Sequence, residues 1–203
     1  MLRINWAVLS PILLAAPLAV RAQTETGFMV SGVVSSQPDG IAVIAVTCPV
    51  QGCPPGSTNG IATHANAGAA YEGFLAQRLV GFHAASLSVE LPVLGIPNRG
   101  TNLNNISFST VAVTPGLRLS FVPKASISPY LSAGGGIVHF SGDASSVTHG
   151  AARFGGGIDF KTPLPHVGVR MDLKDLITPW PSVFPKSGVM QNFVFGGGVV
   201  FKF

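Results

Sequence analysis

Phe193 to Phe203 reads FVFGGGVVFKF. Its odd positions are Phe193, Phe195, Gly197, Val199, Phe201 and Phe203, and its even positions include Gly196, Gly198 and Lys202. One face is apolar and aromatic and the other small or polar, the period of two that marks a strand and not a helix. As a bare sheet edge in water, so greasy a strand would template aggregation. The pattern suits a sheet that closes into a barrel with its apolar face toward lipid, because a closed barrel leaves no backbone group unpaired in hydrocarbon. The length also matches the roughly 9–11 residues that a tilted strand needs to cross a bilayer.

The composition agrees. Charged residues make up 10% of the chain and hydrophobic residues 47%, against about 25% charged in ordinary soluble domains. After residue 22 no apolar run approaches the roughly 18 residues of a helical span. A secreted β-sandwich, the competing class, would carry more charge on its outer faces. At the other end of the chain Arg3 precedes a mostly apolar stretch, Trp6 to Val20, and Val20-Arg21-Ala22 supplies a cleavage site, so residues 1–22 are expected to be a signal peptide and 23–203 the mature barrel domain. Removing Arg3 and Arg21 lowers the formal charge from +4 to +2, which leaves little basis for a nucleic-acid partner.

Eight strands are expected near Gly27–Ser36, Ala62–Leu75, Phe82–Val93, Ser107–Phe121, Ser128–Phe140, Ala151–Lys161, His166–Ile177 and Gln191–Phe203. The connections alternate. Long ones are Gln37–Ile61, Leu94–Ile106, Ser141–Gly150 and Thr178–Met190, and short ones are Ala76–Gly81, Val122–Ile127 and Thr162–Pro165. Barrels of the bacterial outer membrane have short periplasmic turns and longer external loops, and the alternation falls into that register with both termini in the periplasm. The fold class is therefore all-β, a closed antiparallel eight-stranded up-and-down transmembrane barrel. Ile41–Thr47 either extends the first strand or forms a hairpin of its own. Pro115, on the outward track of the fourth strand, is expected to cause a bulge.

Alternation assigns the facing of five further strands. His166, Gly168, Arg170, Asp172 and Lys174 point inward, as do Arg153, Asp159 and Lys161; Thr110, Thr114, Arg118 and Ser120; Ser86, Ser88 and Glu90; and His64, Asn66 and Glu72. A charge on the lipid face costs about 2–4 kcal/mol at the midplane, so the charges collect inside, where they need partners. Sequence position suggests a lower group of Glu72, Arg118, Asp159, Arg170 and Lys202, and an upper group of Glu90, Arg153, Asp172 and Lys174. An eight-stranded barrel is just wide enough for side chains to fill it. These groups read as a structural plug and not as a solute path.

The terminus FVFGGGVVFKF, the glycine-rich YLSAGGGIVHF and RFGGGIDFK, and the charged VGVRMDLKDLIT resemble the small outer-membrane β-barrel family typified by the OmpA transmembrane domain, OmpX and opacity-type proteins. The resemblance covers Gly27 to Phe203. It implies a location in the outer membrane of a diderm bacterium, with outer-membrane lipid and the barrel assembly machinery as partners and a monomeric state. Gly198, Phe201 and Phe203 stand at the glycine and aromatic positions of the family's assembly signal. The family has no single activity, so the expected role is structural or an interaction of the external loops with an unknown ligand or surface, without an open pore. A narrow channel or transport accessory is the alternative. No cofactor or metal is expected. His139-Phe140-Ser141 also resembles the His-x-Ser element of outer-membrane lipid A deacylases, with Asp143 placed to orient the base. Gly142 stands where that element has Asn, and the element falls on the fifth strand, so the chain is not read as an enzyme.

Cys48 and Cys53 lie in CPVQGC within a Pro- and Gly-rich stretch. In an exported chain so close a pair is expected to form a local disulfide. Alkylation without reduction, followed by mass spectrometry, should label neither cysteine; two labelled thiols would reject the bond.

Overall fold

The computed structural model describes residues 23–36, 41–42, 61–62, 67–100, 107–142, 146–179 and 188–203. The strands are β1 (Thr24–Ser36), β2 (Ile41–Ala42), β3 (Ile61–Ala62), β4 (Gly68–Gly81), β5 (Ala85–Gly100), β6 (Ser107–Val113), β7 (Gly116–Phe121), β8 (Ile127–Gly142), β9 (Ser146–Lys161), β10 (Val167–Pro179) and β11 (Val189–Lys202). All pairings are antiparallel. β1 pairs with β4 on one side and β11 on the other, and the order β4-β1-β11-β10-β9-β8-β6/β7-β5 returns to β4. With β6 and β7 forming one broken stave, the molecule is a closed eight-stranded barrel. The start of β1, the end of β11 and the turns Phe82–Ala84, Val122–Ser126 and Thr162–His166 share one end, here the turn end; the other is the loop end.

Alternation sets the two faces. Phe28, Val30, Leu75, Leu91, Leu117, Leu131, Phe154, Met171, Leu173, Phe195 and Phe201 are exposed on the outer wall, while Arg118, Arg153, Asp159, Arg170, Asp172 and Lys174 are buried inside. So broad an exposed apolar belt is a surface for hydrocarbon and not for water. Asp175 stands apart. It shares the register of outward Leu173, yet it is only 5% exposed and lies opposite Phe154 and Phe193.

Several expectations need correction. The second stave lies further along the chain than Ala62–Leu75, running to Gly81, so its turn is Phe82–Ala84 and not Ala76–Gly81. The third continues to Gly100 and the hairpin β8–β9 to Ser141 opposite Ser146, which shortens both loops. His166 lies in a turn at φ 65°, not on an inward track, and Lys161 is exposed at the rim, where its Nζ donates to the Lys124 carbonyl at 2.5 Å. Pro115 produces a break and not a bulge. β6 ends at Val113 and β7 starts at Gly116, yet Val113 and Gly116 pair with Ile137 and Gly134 on β8, three positions apart on both strands. The ring removes a donor without inserting a residue. Register does slip between Arg78 and Val80 and between Ile96 and Arg99, the second beside Asn98 at φ 43°. Ile41–Ala42 pairs with Ile61–Ala62 in a sheet separate from the barrel. Residues 1–22, His64, Asn66, Cys48, Cys53 and Asp143 lie outside the described residues.

The broken stave packs closely against β8. A Cβ built on Gly136 would collide with the Val113 carbonyl oxygen and lie 2.9 Å from Thr114 Cα, whereas one on Gly73 would meet nothing within 4 Å. Gly136→Val is therefore expected to destabilise the barrel by about 1–3 kcal/mol, and Gly73→Ala to leave it near wild type. Urea titration followed by gel mobility of the unheated protein checks both.

Candidate functional site

The interior is built in two storeys. Toward the loop end the inward residues are mostly apolar: Val33, Leu94, Ile96, Phe108, Val138, Phe140, Leu176, Met190 and Val194 form one buried cluster, with the rings of Phe108 and Phe140 edge to face at 6.2 Å. Arg99 closes one side of this storey. Its Nη1 donates to Asn192 Oδ1 at 2.8 Å and its Nη2 to Ser35 Oγ at 2.7 Å. Simple alternation would turn Arg99 outward. The slip between Ile96 and Arg99 inserts a residue and carries it inside.

Toward the turn end the interior is ionic. Glu25 contacts Arg118 Nη2, lies 3.5 Å from Arg170 Nη2 and 3.7 Å from Lys202 Nζ. Asp159 accepts from Arg170 Nε at 2.6 Å and Nη2 at 2.9 Å, and faces Lys202 at 3.7 Å. Glu90 accepts from Arg153 Nη2 at 3.1 Å and lies 3.6 Å from both Arg118 and Arg170. Lys174 donates to Glu72 at 2.5 Å and stands 2.6 Å from Asp172, while Arg153 is 4.0 Å from Glu72. Five carboxylates thus interleave with five cations, and the set is neutral. Such balance is what burial demands, since a single unpaired charge in a dry interior is costly. Tyr130 donates to Asp172 at 3.1 Å, and the Arg170 guanidinium lies over Phe74 at 4.5 Å and Tyr130 at 4.8 Å.

The glycine triplets make room for this lattice. Inward Gly155 and Gly157 on β9, and Gly196 and Gly198 on β11, flank the Arg170–Asp172–Lys174 track of β10 on both sides. A Cβ on Gly157 would fall 2.6 Å from the Tyr130 hydroxyl, and one on Gly155 3.0 Å from Lys174 Cγ. The side chains missing from β9 and β11 leave the space that the long ones of β10 occupy.

The grouping expected from sequence position is corrected in two respects. Glu72 joins Lys174 and Arg153, not Arg118, Arg170 and Lys202. The carboxylate that reaches all three of those cations is Glu25, absent from the expected set because it precedes Gly27, the expected start of the first strand, whereas β1 begins at Thr24. His139 and Ser141 both lie on the outer face of β8, and His139 Nδ1 is 2.8 Å from Thr148 Oγ1 across the hairpin. Among the described residues no group of three His, Cys, Asp or Glu side chains could hold a metal ion.

This wall and its filling can be set against known proteins. No protein-family model matches the chain, and no curated protein matches it. Solved structures do. The crystal structure of Neisserial surface protein A aligns over 90% of this chain and 97% of its own, with a TM-score of 0.55 at 10% identity. The fold is that of the small outer-membrane β-barrels. Two further similar structures are Ail, the attachment invasion locus protein of Yersinia pestis, at TM-score 0.42 and 15% identity over 89% of this chain and 97% of that one, and the outer membrane enzyme PagL, at 0.47 and 12% over 84% and 97%.

Glu25 is the keystone of the lower lattice. Replacing it with Gln leaves Arg118, Arg170 and Lys202 facing Asp159 and Glu90 with one negative charge too few. The expected loss is about 3–5 kcal/mol, the scale for removing one partner of a buried pair. Urea unfolding in detergent measures it; a loss below about 1 kcal/mol, the range of exposed pairs, would show that water screens the lattice.

Proposed function

We propose that the protein is a closed barrel of the outer membrane of a diderm bacterium, its work done by the loop-end surface and not by a pore. One observation carries this reading: the interior is filled along its height by an apolar storey above a neutral ionic one. A permeating solute would have to displace packed Val33, Val138 and Val194 and then separate charge-paired arginines, and neither step has compensation in a narrow lumen. The exposed outer belt supports residence in lipid. The start of β1, the end of β11 and the three tight turns share the end that faces the periplasm in such barrels, which directs the loop end outward. The surface available to an external ligand or partner is then at the loop end. With Gly198 and Phe201 on the strand that closes the barrel and Phe203 directly after it, assembly by the barrel machinery belongs to the same reading.

Planar-bilayer recording tests the reading. The purified protein should give no steady single-channel current, and Glu72→Ala should leave conductance near zero or raise it slightly. A large stable current from the wild-type barrel would overturn the closed reading and favour transport.

A further inference from the structure

The turn end holds a feature that neither the barrel wall nor the lattice requires. A cavity of about 550 Å³ opens there, bordered by Arg78, His83, Lys124, Lys161 and Lys202. Its cations, Arg78, Lys124, Lys161 and Lys202, come from separate places around the rim: the end of β4, one turn, and the ends of β9 and β11. Among the described residues no aspartate or glutamate side chain lines it. Lys202 is already matched by Glu25 and Asp159 in the neutral lattice above. Arg78, Lys124 and Lys161 are therefore surplus positive charge gathered around one concavity, and Lys161 is held in place by its bond to the Lys124 carbonyl. Unbalanced cations converging on a recess repel one another unless an anion sits among them.

The surroundings narrow the anion. Phe82, 65% exposed, lines the same cavity. An adjoining hollow of about 340 Å³ shares Gln23, Lys161 and Lys202 with it and adds Leu164 and Phe203, both strongly exposed. Basic side chains beside exposed aromatic and aliphatic ones form an amphipathic rim, the combination that suits a headgroup joined to acyl chains. A free inorganic anion has no use for the apolar part. We infer that this recess binds the phosphate headgroup of an anionic phospholipid of the periplasmic leaflet. The inference rests on the outer-membrane reading above: only in that orientation do the recess and its apolar rim lie level with those headgroups. Arg78 offers a planar fork to phosphate oxygens, and Lys124 and Lys161 supply point charges.

The test uses the mature barrel in detergent. Native mass spectrometry follows retention of phosphatidylglycerol, phosphatidylcholine and soluble glycerol phosphate by the wild type and by an Arg78→Gln, Lys124→Gln, Lys161→Gln variant. The wild type should retain phosphatidylglycerol in preference to phosphatidylcholine, and the variant should bind it about tenfold more weakly or worse, since each basic residue near an anionic surface contributes appreciably. Heat-modifiable gel migration, checked in parallel, should be the same for both proteins. Equal retention of the two lipids, or unchanged phosphatidylglycerol binding by the variant, would overturn the site. Glycerol phosphate binding as tightly as the lipid would overturn the lipid assignment in favour of a soluble phosphate. Loss of heat-modifiable migration by the wild type itself would strike the outer-membrane barrel reading instead, so the two failures are distinguishable.

Discussion

Everything in this molecule follows from one pairing, that of the first stave with the last. β1 and β11 run antiparallel from Glu25 opposite Lys202 to Ser36 opposite Gln191. That ladder removes the only two edges an eight-stave sheet would have. Without it, Phe28 and Val30 on one strand and Phe193 and Phe195 on the other would border rows of unpaired amides, untenable in hydrocarbon and aggregation-prone in water. With it, the outer wall can be as apolar as it is.

Closure also fixes how wide the interior is, and width dictates contents. Eight staves enclose a space that side chains fill, so each inward residue is packed or paired. The two halves meet this demand differently. Near the loop end bulk suffices, and Val33, Leu94, Phe108, Phe140 and Val194 supply it. Near the turn end charge must be matched with charge, and the small side of the glycine triplets lets Arg170 and Lys174 from β10 reach Glu25, Asp159 and Glu72. Backbone glycine and long cation are two parts of one packing solution. The bulk of β11 lies on its outer face, as Phe193, Phe195 and Phe201, while its inner face at Gly196 and Gly198 stays bare.

The distribution of charge separates structure from surface. The lattice is neutral and buried, which suits a support. The rim at the turn end is positive and open, which suits a contact. Arg118 and Arg170 belong to the first and Arg78, Lys124 and Lys161 to the second, although nothing in the residue types distinguishes them.

The period of two in FVFGGGVVFKF, in VGVRMDLK and in the other alternating segments determined by itself that the chain forms strands, that its apolar sides face out, and that Arg118, Arg153, Asp159, Arg170, Asp172 and Lys174 lie within. Facing is a local property, because successive side chains leave a strand on opposite sides. Height and partnership are not local. They depend on the register of every intervening ladder, and each stave is offset from the next around a tilted barrel. Hence sequence position placed Glu72 with Arg118 and Arg170, whereas the folded barrel lifts it to Lys174 and sets Glu25 in its place. Arg99 was illegible because it fell in the expected connection Leu94–Ile106; the strand runs on to Gly100, and the slip beside Asn98 then turns Arg99 inward. The basic recess was equally out of reach. Arg78, Lys124, Lys161 and Lys202 are scattered over more than half the chain, and they gather around one cavity because closure of the barrel brings the ends of its staves into a ring.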